Sequence, residues 1–86
     1  MYDDRAKVYL IAIEAIISEM GRLDITMTDF ARRADVKYWR LRRFLLRETR
    51  RPRSSLFVGL ASLTCITDSV RDKIVQCLEY DRRNGL

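Results

Sequence analysis

The stretch that decides the fold is residues 26–46, TMTDFARRADVKYWRLRRFLL. Thr26 followed three residues later by Asp29 resembles a capping box, with Asp standing in for the usual Glu, and predicts a helix beginning after Ile25. Met27, Phe30, Ala31 and Ala34 form its apolar side, and it stops near Asp35. Val36 and Lys37 then make a short turn. The next helix, about Tyr38 to Arg47, buries Leu41, Phe44, Leu45 and the stem of Glu48 or Lys37. At 100° per residue, Trp39, Arg42, Arg43 and Leu46 fall on the opposite side, with Arg40 at the flank. A helix that merely faces water seldom carries such a cationic and aromatic outer surface.

Outward from this pair the chain continues to read as helix, because only three glycines and one proline punctuate it. The first helix runs from about Asp3 to Met20, with Asp3 and Asp4 at its positive end and Gly21 as its stop. Tyr9, Ala12, Ile13, Ile16, Ile17 and Met20 share one face; Leu10 and Ile11 lie off it, as part of a broad buried face or as a subunit contact. Pro52 ends any helix through residues 47–53 and leaves a basic loop. Ser54 or Ser55 caps a fourth helix through about Leu63. Thr67 caps a fifth, 68–82, with Val70, Ile74, Cys77 and Leu78 as its stripe. A strand pattern competes only weakly, at Leu56-Phe57-Val58. The expectation is one domain, 1–86, all-α, a compact bundle of about five helices.

Composition narrows the chemistry. The net charge of +5 is unevenly spread: residues 1–26 carry −2, residues 27–55 carry +7 and residues 56–86 carry 0. Ten cations in 29 residues around a tryptophan point to a polyanionic partner. No histidine is present, which removes the usual general base and the commonest metal ligand and makes an enzyme the least favoured class. Cys65 and Cys77 lie twelve apart without further ligands and read as reduced, packed thiols, so neither a metal nor a cofactor is expected. Met1-Tyr2-Asp3-Asp4 is acidic where a cleavable leader is basic, and Val8 to Ile17 is too short to span a bilayer. The expected compartment is the cytoplasm, with no membrane partner. A chain this small buries only about 60% of its unfolded surface, so a homodimer interface would add stability.

Two short helices joined by a three-residue turn, the second cationic outside, are the parts of a helix-turn-helix DNA reader. Such a unit needs a small residue where the helices cross, a turn residue tolerant of left-handed angles, and apolar locks. Ala31 meets the first need, Asp35 the second, and Phe30, Ala34, Val36, Leu41 and Phe44 the third.

Residues 27–44 resemble the helix-turn-helix of the lambda-repressor and Cro-like (XRE-type) regulators. The likeness extends through Thr49-Arg50-Arg51-Pro52-Arg53, similar to the basic loop after their recognition helix, and to Leu60-Ala61-Ser62-Leu63, similar to their fourth helix. The chain departs from the pattern at Asp35, where the family usually has Gly, and at Lys37, where it often has Ser or Thr. The resemblance implies a lambda-repressor-like fold with the motif at about 27–46. It also implies base contacts from Tyr38, Trp39, Arg42 and Arg43, and phosphate contacts from Thr26, Thr28, Lys37, Arg40, Arg47, Arg50, Arg51 and Arg53. The competing reading of Tyr38 and Trp39 is a core edge folded over the helix start.

A single helix reads few base pairs, so a homodimer on a palindromic double-stranded operator is expected, with Val70, Ile74 and Leu78 as the first candidate seam and Leu10 and Ile11 as the second. The expected function is a sequence-specific transcriptional regulator, a small dimeric repressor with no small-molecule ligand; the family's small members imply a phage or mobile-element setting. The alternatives are an antitoxin that represses its own operon and a protein-interaction (antiactivator) module on the same fold.

Overall fold

The helix ends of this protein are set by local hydrogen bonding, and three of them close in the same way. The computed structural model describes residues 4–49 and 52–83, with side chains from Lys7 onward. Among these there are five helices and no strand: α1 (Asp4–Leu23), α2 (Met27–Ala34), α3 (Tyr38–Leu45), α4 (Ser54–Ala61) and α5 (Asp68–Arg83). Asp3, expected at the start of α1, lies outside the described residues.

Helices α1, α2 and α3 each end on a residue with left-handed backbone: Asp24 (φ 55°), Asp35 (φ 56°) and Arg47 (φ 62°). In each case the following amide reaches back five residues, Ile25 N–H to Met20 O, Val36 N–H to Ala31 O and Glu48 N–H to Arg43 O, which satisfies a terminal carbonyl. This corrects two expected boundaries. Gly21 does not stop α1, which continues to Leu23 because Asp24 takes the left-handed turn. Helix α3 stops at Leu45, before Arg47, and the stems of Lys37 and Glu48 are exposed rather than buried. The N-cap of α4 is Arg53, with Ser54 and Ser55 inside the helix, which ends at Ala61. Thr67 caps α5 as expected, accepting from Val70 N–H at 3.3 Å.

The core is built where α1, α4 and α5 meet the underside of α2 and α3. Tyr9, Ala12, Ile13 and Ile16 of α1, Phe30, Ala31 and Ala34 of α2, Leu41, Phe44 and Leu45 of α3, Leu56, Phe57 and Leu60 of α4, and Val70, Ile74 and Cys77 of α5 are buried together. Ile17, expected in this stripe, sits at its edge and is 50% exposed. The radius of gyration, 11.9 Å, matches the roughly 12 Å of a compact chain of this length.

Three polar ties span the sequence. Tyr9 Oη donates to the buried Asp81 at 2.6 Å. The buried Glu19 accepts from Thr67 N–H at 2.7 Å and pairs with Arg22 at 2.6 Å, so α1 caps the start of α5. Arg71 donates to Ala61 O at 3.0 Å and Leu63 O at 2.6 Å, closing the end of α4. The Arg22 hydrogen bond first, and the Thr67 amide after it, hold the Glu19 carboxyl below its ordinary range against the opposing effect of burial.

Gly59 of α4 supplies a close approach that the spacing of apolar residues does not announce. A Cβ there would lie 2.5 Å from Val36 Cγ1 and 2.6 Å from Ala34 O, so α4 rests against the turn after α2 at backbone distance. At Gly21 nothing beyond its chain neighbours and its own helix backbone stands within 4 Å of the corresponding position.

The same substitution should therefore have opposite signs at the two sites, read as Tm. Gly21→Ala should stabilise by about 1 kcal/mol through helix propensity. Gly59→Ala should destabilise by about 1–3 kcal/mol through overpacking. Equal shifts would refute the close approach. Because Glu19 titrates lower folded than unfolded, where its ordinary value is 4.5, its contribution is present above the unfolded value and is lost as pH falls through the folded one. Glu19→Gln should cost about 1–3 kcal/mol near neutral pH and flatten the acid limb of the stability profile, measurable by denaturant melts at stepped pH.

Candidate nucleic-acid interface

The cationic surface is organised by the α2–α3 connection. Thr26 accepts from Asp29 N–H at 3.1 Å and starts α2, as its spacing predicts. Asp35, with φ 56° and ψ 43°, reverses the chain in the left-handed region, the conformation required of it by the sequence reading. Ala31 is buried, and Phe30, Ala34, Leu41 and Phe44 are buried with it in one core. The outer side of α3 is thereby turned to solvent: Tyr38 is 45%, Trp39 51% and Leu46 49% exposed, and Arg42 and Arg43 are exposed beside them. Tyr38 and Trp39 are not folded into the core edge. Arg40 is half-buried, with its guanidinium carbon 5.1 Å from the Trp39 ring centre, a cation–π contact that holds both groups.

The remaining expected contacts among the described residues are exposed. Lys37 precedes α3 and Arg47 follows it, both exposed. Thr28 is exposed on the first turn of α2, and Thr26 is exposed although its hydroxyl oxygen serves as the cap. Arg53 is brought to the same side: it shares with Trp39, Arg40 and Arg43 the lining of a cleft of about 240 Å³, which Glu48 and Thr49 of the loop also enter. Arg50 and Arg51 lie outside the described residues. Among the described residues Arg32 pairs with Asp29, whereas Lys37, Arg40, Arg42, Arg43, Arg47 and Arg53 make no ion pair.

Three of these cations occupy positions that local physics disfavours. Lys37 is the N-cap of α3 and Arg53 the N-cap of α4; neither helix has a side-chain cap or an acidic residue in its first turn. A cation at the positive end of a helix is unfavourable by roughly 0.3–1 kcal/mol, whereas an anion there is favoured. Arg47 holds φ 62° where glycine is unstrained. Departures from local rules of this kind are expected at functional or strained sites.

The first candidate dimer seam is covered largely within the single chain, in line with the core-packing role that is its alternative. Val70 and Ile74 are buried in the core of the single chain, and Leu78 is half-buried against it. An amphipathic stripe shows that a face is covered but not by what, and here α1 and α4 cover it. Leu10 is half-buried, while Ile11 remains 47% exposed.

The sequence reading missed the N-cap position of Arg53, the left-handed backbone of Arg47 and the cleft between α3 and the loop. The absence of an Asx or Ser/Thr residue at position 37 was visible, but at α4 the sequence offered Ser54 and Ser55 as caps, and only the observed helix start places them inside the helix. Among the described residues no cluster of three metal-ligating side chains occurs, and no helix is long and apolar enough to cross a membrane. The thiol of Cys77 is pushed up to about 12, by burial first and by Asp81 second, which keeps it protonated. Comparison with protein-family models, curated proteins and solved structures finds no match to the chain.

Arg47→Gly separates the two roles of this position. Relief of the left-handed strain should raise stability by about 1 kcal/mol, while loss of the charge should weaken nucleic-acid binding and reduce its salt dependence. Thermal melts and salt-dependent binding titrations on one preparation check both, and a variant equal to the parent in binding would remove Arg47 from the interface.

Proposed function

We propose that this protein is a sequence-specific, double-stranded DNA-binding transcriptional regulator in which α2, its turn and α3 act as a helix-turn-helix like that of the lambda-repressor and Cro-like regulators. One observation carries the reading: the unpaired cations at Lys37, Arg47 and Arg53, each at a locally unfavourable position, border the exposed face of α3 that holds Trp39, Arg42 and Arg43. Helix α3 enters the major groove, where Arg42 and Arg43 hydrogen-bond guanine O6 and N7 and the apolar edges of Tyr38 and Trp39 meet thymine methyls or sugars. Lys37, Arg40, Arg47 and Arg53, with Thr26 and Thr28 at the start of α2, hold phosphates on either side and fix the register.

Specificity over more than a few base pairs calls for two copies on a palindrome with half-sites about one DNA turn apart. With Val70 and Ile74 inside the core, the seam falls to the exposed α1 residues Ile11 and Ile17. Bound in this way, the protein represses by occupying its operator.

Selection of bound sequences from random duplex DNA, followed by footprinting, tests the reading. The expected product is one recurrent palindrome, with affinity falling by about 0.9 in log–log slope for each phosphate contacted. Arg43→Ala should lose about 1–3 kcal/mol at one base pair and relax specificity there. Recovery of no preferred sequence, with binding wholly abolished by salt, would overturn DNA regulation in favour of a protein-interaction module.

A further inference from the structure

The cleft beside α3 has a chemistry of its own. It gathers Trp39, Arg40 and Arg43 from α3, Glu48 from the loop and Arg53 from the cap of α4, with the buried Leu56 as an apolar wall. Its volume of about 240 Å³ is below the roughly 300 Å³ at which pockets for drug-sized molecules begin. A volume of this size suits a single nucleotide-sized ligand. Among the described residues, Glu48 forms no ion pair with Arg40, Arg43 or Arg53, and the cleft carries both signs of charge. The matching molecule carries an anionic group, N–H donors and a π-face.

We propose that this cleft binds a single guanine nucleotide, with its ring stacked against Trp39 and Arg40, its phosphate held by Arg43 and Arg53, and its N1–H and N2–H groups donating to the two oxygens of Glu48. The choice of base follows from the carboxylate, which is acceptor-only when ionised and best matched by two adjacent donors. Guanine offers that pair. Adenine and cytosine set an amino group beside a ring nitrogen acceptor that repels the carboxylate, and thymine and uracil flank one imino group with two carbonyls. The basic rim and aromatic platform are those of sites that hold single unpaired nucleotides. The proposal deepens the DNA-binding reading, because Trp39, Arg40, Arg43 and Arg53 are shared, so that a guanine nucleotide in the cleft and duplex DNA on α3 exclude each other. The nucleotide is supplied either free in solution or as an unpaired guanosine in a strand.

Trp39 is the only tryptophan, so its fluorescence reports stacking in the full chain without a label. Titration with GMP should quench it saturably, with at least about tenfold tighter binding than AMP or UMP, the margin of one bidentate contact; inorganic phosphate should not quench. Glu48→Gln, at an exposed position, should keep the parent's Tm and lose the preference for GMP. Comparing a DNA hairpin bearing one bulged guanine with its fully paired counterpart separates the sources: tighter binding of the bulged form assigns the strand, and equal binding alongside GMP quenching assigns the free nucleotide. Quenching that is equal for all three nucleotides, absent at millimolar concentrations or indifferent to Glu48→Gln would overturn the proposal. A protein that selects a palindrome yet ignores GMP fails this proposal alone. One that binds GMP but no duplex fails the regulator reading alone.

Discussion

The packing of this protein turns on the side chain of Tyr9. Its ring is stacked on Phe57 at 5.8 Å and meets Phe44 edge-on at 5.9 Å, while Phe44 and Phe57 meet edge-on at 5.3 Å. Its hydroxyl, which would be costly to bury alone, donates to Asp81. One residue of α1 therefore touches α3, α4 and α5. Phe44 is the underside of α3, so the height and rotation of the surface bearing Trp39, Arg42 and Arg43 are referred through this ring to the back of the molecule.

The α2–α3 unit was legible in the sequence because its signals are local. Thr26 and Asp29 mark a start, Asp35 tolerates the left-handed turn, and the spacing of Leu41, Phe44 and Leu45 separates the buried face of α3 from the exposed one. The signals failed where two residues serve equally well. Gly21 advertises a helix end, yet Asp24 three residues later accepts the left-handed conformation and closes the turn, with Ile25 bonding back to Met20. Ile17 lies at the rim of the apolar stripe, where the curvature of neighbouring elements decides exposure.

What no pattern could show is contact across long separations. The Glu19–Thr67 cap, the Arg71 clasp on the end of α4 and the seat of Gly59 against Ala34 O join segments whose adjacency is a product of the fold. The candidate site divides along the same line. Its exposed arginines were readable as a charge excess, but the cleft exists only because Arg53 and Glu48 are carried back beside Trp39. The electrostatic anomaly of Lys37 and Arg53 as N-caps likewise required observed helix starts.

The bond between Tyr9 and Asp81 joins residues 72 apart in sequence. Closing a loop of that size costs about 4 kcal/mol of chain entropy, returned only when α5 settles against α1 and α4. The surface of α3 thus has no intermediate support: while α5 is undocked, the ring beneath Phe44 lacks its anchor. The position of the cationic face is thereby tied to a contact that forms only when the two ends of the chain have met.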